Sequence, residues 1–210
     1  MPDTNVLIRP PRPSEPGEFS ALMALYEEAI PASERKSRAQ IASMMREPGY
    51  RFLAAFVAER LVGFAIVYRF RGERLSLLEY MAVDPAHRSQ GIGGQLFRAA
   101  LGLSDAETPL LLEVDSDREP SEDHSQRVKR KRFYNRLGCR EIAGLNYILP
   151  IGQHPPGMNL LVHDPQCHDL DRATVLHWLT LLYVEVYGCS ASDPRIAVMA
   201  ASLPEKIALI

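Results

Sequence analysis

The run Arg88-Ser89-Gln90-Gly91-Ile92-Gly93-Gly94 has the composition of an anion cradle. It follows an apolar, strand-like stretch at residues 75–83, which Asp84-Pro85 ends, and a helical pattern starts near Gly91. The first N–H groups of a helix have no intrahelical partner and carry a partial positive charge. Glycines remove the side chains that would hold a phosphate away from those groups. Strand, turn and glycine-rich helix start together suit a pyrophosphate. Two familiar phosphate motifs are excluded. A P-loop requires Lys and then Ser or Thr after its second glycine, and here Gly94 is followed by Gln95. A dinucleotide cradle requires GxGxxG in an early parallel βαβ unit and a later acidic residue. Gly91-Ile92-Gly93-Gly94 lacks that spacing, and its strand follows a hairpin.

Other chemistry-bearing residues are less patterned. Cys139, Cys167 and Cys189 are odd in number and show no CxxC spacing, so neither a zinc site nor a disulfide framework is expected. His87, His124, His154, His163, His168 and His177 are scattered, and no metal site is expected. The basic run Arg127-Val128-Lys129-Arg130-Lys131-Arg132 reads as the exposed face of a helix rather than a nucleic-acid patch.

The elements that must position the cradle follow from periodicity and punctuation. Residues 6–9 read as a short strand stopped by Pro10, Pro11 and Pro13. Phe19, Leu22, Met23, Leu25, Tyr26 and Ile30 recur at helical spacing, Pro31 ends that helix, and Ser33 is the expected cap of a second helix reaching residue 46. Residues 51–58 and 61–70 flank a turn at Glu59-Arg60 and read as a hairpin. Leu96, Phe97, Ala100 and Leu101 share one face of the helix after Gly91. Residues 110–114 read as a short strand, apolar apart from Glu113, and residues 126–137 as a helix stopped by Gly138. Strands are expected at 141–149 and 158–162, and helices at 169–187 and 194–201. This is a mixed, mostly antiparallel α/β sheet with helices on both faces and a C-terminal helical extension, not a regular doubly wound repeat.

With its preceding Leu78-Glu79-Tyr80-Met81-Ala82-Val83-Asp84-Pro85, the cradle resembles the acyl-CoA-binding motif of the GNAT superfamily of N-acetyltransferases. That motif is Arg or Gln, two residues, Gly, any residue, then Gly or Ala. Phe133-Tyr134-Asn135-Arg136-Leu137-Gly138 matches the family's next landmark, and Cys139 departs from the usual aromatic residue there. The resemblance covers roughly residues 5–163. It implies acetyl-CoA as donor, its pantetheine arm paired with the backbone of Met81, Ala82 and Val83. The N–H groups of Arg88, Ser89, Gln90, Gly91, Ile92, Gly93 and Gly94 would hold the pyrophosphate. A backbone N–H at Met81 or Val83 would polarise the thioester carbonyl.

The chemistry needs a neutral amine, and an alkyl ammonium has a pKa near ~10. A carboxylate can take its proton, often through water. Glu79 is the first candidate, two residues before the pantetheine-pairing segment, and alternation would put it on the same face as Met81. Glu113, on the next strand, is the reserve. Tyr134 stands where the family often places the tyrosine that protonates the departing thiolate. Tyr26, Glu28 and Glu34 are acceptor-site candidates. Cys139 falls at a helix end, so no covalent enzyme intermediate is expected.

The reading is therefore direct transfer of acetyl from acetyl-CoA to a primary amine of a small molecule or peptide. Its rivals are a longer acyl donor, a protein lysine as acceptor, and an acyl-CoA sensor without turnover. The bulk properties agree. The chain has 210 residues, 46% of them hydrophobic, with 24 basic and 26 acidic residues and a net charge of −2. That balance gives no pull towards nucleic acid or anionic membranes. No apolar run is long enough for a signal peptide or a span, and a reducing, cytoplasmic setting is expected. Residues 1–163 are expected to form the acetyltransferase domain. Residues 164–210 would pack on it or, as the sharper alternative, at a homodimer interface or as a lid over the acceptor pocket.

Overall fold

The computed structural model describes residues 5–12, 15–105, 107–118, 120–152 and 155–210. Pro13 and His154 lie outside the described residues. The architecture is the mixed α/β one expected, with mostly antiparallel strands, and the chain divides into two compact units, residues 1–106 and 107–210.

The first unit holds β1 (Leu7–Arg9), α1 (Pro16–Ala29), α2 (Arg38–Met44), β2 (Tyr50–Val57), β3 (Arg60–Arg69), β4 (Ser76–Val83) and α3 (Ile92–Leu101). Its strands run in the order β1-β2-β3-β4, each pair antiparallel. One face carries Tyr50, Phe52, Ala54, Phe56, Phe64 and Ile66, packed against Leu22, Met23, Leu25 and Tyr26 of α1 and Ile41 and Met44 of α2. The other face receives α3 through Ile92, Leu96, Phe97 and Ala100. Gly63 lets α3 approach. A Cβ there would lie 2.9 Å from Leu96 Cδ1 and 3.1 Å from the Ala82 carbonyl.

Two local expectations are corrected. The hairpin turn is Ala58-Glu59, both residues left-handed (φ 46° and 64°), and Arg60 already belongs to β3. The strands pair Val57 with Arg60, and only a two-residue turn with positive φ matches their twist. The cap of α2 is Ser37, not Ser33. Ser37 Oγ accepts from the Gln40 N–H, and Gln40 Oε1 accepts from the Ser37 N–H at 2.8 Å. That reciprocal box outcompetes Ser33, which sits in a single 3-10 turn at Ala32–Glu34.

The second unit holds β5 (Leu110–Asp115), α4 (His124–Arg136), β6 (Cys139–Glu141), β7 (Met158–His163), β8 (Asp169–Asp171), α5 (Arg172–Leu181), α6 (Pro194–Ala201) and β9 (Lys206–Ala208). Strand β7 pairs antiparallel with both β5 and β6. The strand expected over 141–149 is confined to its start. Beyond Glu141 the backbone turns to the C-terminal segment: Ile142 bridges Leu209, and the Ala143 N–H donates to the Ala208 carbonyl at 3.0 Å. The helix expected over 169–187 begins at Arg172, because Asp169–Asp171 pairs with β9. Its last stretch, Leu182–Val186, is a π turn. Val175, Trp178, Leu179, Leu182 and Tyr183 are buried, so the broad apolar face of this helix is covered within the single chain. Three of the five cations in the basic run of α4 form ion pairs inside their own unit. Lys131 meets Asp117 and Glu141, Arg130 meets Asp115, and Arg127 meets Asp123.

The exit of β1 is tied to the first turn of α1 by Glu18. Its carboxylate accepts from Arg9 Nη1 at 2.9 Å, Arg9 Nη2 at 2.5 Å and the Arg12 N–H at 2.8 Å. The arginine holds the Glu18 carboxyl down at about 2. A depressed carboxyl stabilises the fold above the usual carboxylate value and loses that contribution as pH falls through its folded pKa. Glu18→Gln is expected to lower unfolding stability by about 1 kcal/mol at neutral pH. Urea titrations at descending pH should show the gap to the native protein closing towards pH of about 2.

Candidate active site

The path from β4 to α3 is fixed by short-range bonds. The Asp84 N–H donates to the Val62 carbonyl at 2.8 Å, and Asp84 Oδ1 accepts from the Ala86 N–H at 2.9 Å. Arg88 Nε folds back on the Val83 carbonyl at 3.2 Å, and Gln90 Nε2 donates to the Ala86 carbonyl at 3.3 Å. Ser89 and Gly91 are both left-handed (φ 63° and 82°), which swings the chain into α3. The helix's first backbone bond runs from the Gln95 N–H to the Gly91 carbonyl at 3.1 Å. The N–H groups of Ile92, Gly93 and Gly94 therefore precede the ladder and point out of the helix start. A Cβ on Gly91 would meet nothing within 4 Å, and one on Gly94 only the Arg98 guanidinium, at 3.8 Å. The cradle is open and has a cation beside it. Arg98 was not foreseen; its i,i+4 spacing from Gly94 was the available signal.

Strand β4 is irregular where chemistry was expected. Tyr80 pairs with Ile66 but Leu78 pairs with Val67, so Glu79 is an extra residue without a cross-strand partner. Such a bulge breaks the two-residue alternation. The expectation that Glu79 and Met81 share a face is therefore corrected. Glu79 lies with Tyr80 on the face that α1 and α2 cover, while Met81 pairs with Ala65 on the opposite parity. Lys36 Nζ sits 2.7 Å from Glu79 Oε1, and the Glu79 side chain is only 5% exposed. Tyr50 is a second polar neighbour of the same carboxylate. Burial pushes the Glu79 carboxyl above its usual range, and Lys36 and Tyr50 pull it back part of the way. Ala82 and Val83 continue the strand opposite Phe64 and Gly63.

The connection carrying Lys36 is pinned to the sheet by two further bonds. The Lys36 N–H donates to Tyr26 Oη at 2.8 Å, and the Tyr80 hydroxyl donates to the Glu34 carbonyl at 3.2 Å. Tyr26 is fully buried, its ring edge-on to Tyr80 at 5.1 Å. Glu28 stands apart from these residues. It is exposed and lines a cleft of about 360 Å³ with Leu25, Phe56, Arg60, Leu61 and Asp84. The three acceptor-site candidates are thus not brought together: Tyr26 and Glu34 belong to the Lys36 connection, and Glu28 to the cleft.

In the second unit Tyr134 is buried on α4, its ring 5.1 Å from that of Phe133, and burial raises its phenol well above the usual value. Glu113, on β5, accepts from the hydroxyls of Tyr147 and Tyr187, the latter at 2.6 Å. Neither tyrosine was foreseen. They come from irregular backbone and from beyond a π turn, where no periodicity marks them. Burial pushes the Cys139 thiol up to about 12, so it is no thiolate at neutral pH. Among the described residues no group of His, Cys, Asp and Glu could hold a metal, and no helix is long and apolar enough to cross a membrane.

An open helix start thus lies at the end of a bulged strand that carries a buried carboxylate. Residues 48–141 match the acetyltransferase (GNAT) domain. A GNAT-family acetyltransferase from Bacteroides thetaiotaomicron superposes with a TM-score of 0.71 at 22% identity, covering 88% of this chain and 99% of that one. The ribosomal-protein-S18-alanine N-acetyltransferase of Escherichia coli gives 0.57 at 20% identity, over 78% of this chain and 96% of that one. An aminoglycoside 6'-N-acetyltransferase complexed with coenzyme A gives 0.60 at 18%, over 77% and 98%. Comparison with curated proteins by sequence gives no match.

Removing the ammonium leaves Glu79 as an uncompensated buried charge. Lys36→Met is expected to destabilise the protein by about 3 kcal/mol at neutral pH. The loss should shrink on acidification, as the carboxyl takes up a proton and no longer needs a partner. Denaturant titration at two pH values measures both effects.

Proposed function

We propose that this protein transfers the acetyl group of acetyl-CoA directly to a primary amine of a small molecule or a peptide. The observation that carries the reading is the open, glycine-lined start of α3 at the end of β4, with Arg98 beside it. The N–H groups from Ser89 to Gly94 would hold the pyrophosphate, and the backbone of Met81, Ala82 and Val83 the pantetheine arm. A backbone N–H at Met81 or Val83 would polarise the thioester carbonyl.

Glu79 is the base in this reading. Its raised carboxyl brings it closer to the working pH, which is what general-base catalysis rewards. Tyr134 is the proton donor to the departing thiolate. Burial keeps its phenol protonated, the form such a role requires. Glu113, clamped by two tyrosine hydroxyls, is held as the reserve base. Direct transfer suits a chain whose buried Cys139 is a protonated thiol. The unpaired cysteines suit a reducing, cytoplasmic setting.

Calorimetric titration with acetyl-CoA tests the donor site. The native protein is expected to bind at roughly micromolar concentration. Gly91→Glu, which places a carboxylate in the cradle at a left-handed position, is expected to abolish binding while circular dichroism shows the fold retained. Absence of binding by the native protein would refute the reading.

Tyr134→Phe is expected to lower turnover by ~10²-fold with little change in acetyl-CoA affinity. Release of free CoA with a panel of amines measures it. Unchanged turnover would remove Tyr134 from the mechanism, and no release with any amine would favour a sensor.

A further inference from the structure

We propose that Lys36 is an internal acceptor: its side-chain amine, held on Glu79, takes the acetyl group from acetyl-CoA, and the protein thereby acetylates its own α1–α2 connection. The inference rests on the donor and base assignments above and adds a modification site to them. A general base must lie within hydrogen-bond reach of the amine it deprotonates. Lys36 Nζ already meets that condition, 2.7 Å from Glu79 Oε1.

The placement is built rather than incidental. The Lys36 N–H is held by Tyr26, the Glu34 carbonyl by Tyr80, and the ammonium lies 5.9 Å from the Tyr80 ring centroid. Those contacts fasten the connection over the bulge, two residues before the segment assigned to the pantetheine arm. The side chain is not sealed in, since 23% of it remains exposed. Lys36 is also the sole lysine in residues 1–106. A nucleophile fixed this way reacts at a high effective concentration.

The balance is that of ordinary acyl transfer. The ammonium gives one proton to Glu79, and the neutral amine attacks the thioester carbonyl. The N–C bond forms as the C–S bond breaks, and the amide nitrogen sheds its second proton. Coenzyme A leaves as a thiolate and is protonated. Nothing is oxidised or reduced. The product is N-acetyl-Lys36 and free coenzyme A, with one net proton released.

The test is incubation of the full chain with acetyl-CoA and no added amine, followed by peptide mass mapping. An acetyl group is expected on Lys36 at a rate independent of protein concentration, far ahead of Lys206, whose side chain is 74% exposed and reports uncatalysed acetylation. Glu79→Gln should slow the Lys36 reaction by ~10²-fold. Lys36→Arg, which keeps the positive charge, should release no coenzyme A without an added amine. Three results would overturn the proposal while calorimetry still shows acetyl-CoA bound: an unmodified Lys36, a Lys36 modified no faster than Lys206, or a rate that rises with protein concentration. If acetyl-CoA does not bind at all, the donor assignment falls, and self-acetylation falls with it.

Discussion

Glu79 is a carboxylate inside a sheet covered by helices, and a buried charge persists only with a partner. Much of the first unit is arranged around supplying one. The extra residue in β4 turns Glu79 to the same face as Tyr80. Lys36 is then brought to it by a connection that Tyr26 and Tyr80 clasp from below. The capping box at Ser37 follows at once, so that α2 starts two residues beyond the lysine. A segment that the sequence pattern places in the second helix is instead a connection fixed beside Glu79.

The opposite constraint shapes the other end of β4. There the chain leaves backbone donors unpaired, in a left-handed passage through Ser89 and Gly91 that gains little for the fold itself. The turn before it compensates: Asp84 and the side chains of Arg88 and Gln90 all bond to nearby backbone groups. Rigidity at Asp84–Gln90 allows openness at Gly91–Gly94. Gly63 adds to this, because its missing side chain lets Leu96 seat α3 close to the sheet.

The second unit shows how a C-terminal segment becomes part of a folded body. Edge groups of residues 141–143 bond to residues 208–210, and the hydroxyls of Tyr183 and Tyr187 reach the Ile148 carbonyl and Glu113. The π turn at Leu182–Val186 contains Tyr183 and ends one residue before Tyr187. Widening the helix there resets the direction in which Tyr187 points relative to a regular helix.

What the sequence determined by itself was whatever local rules govern. The cradle was legible because helix starts and glycines act within a few residues, and the element order was legible because apolar periodicity is local. What only the tertiary structure decided was how distant segments meet. The bulge at Glu79 depends on the register between β3 and β4, and no composition marks it. The Lys36–Glu79 pair joins residues 43 positions apart, and the Glu113–Tyr187 bond joins residues 74 apart. A side chain's partner is set by packing in three dimensions, and the sequence pattern carries only the period of the element it sits on.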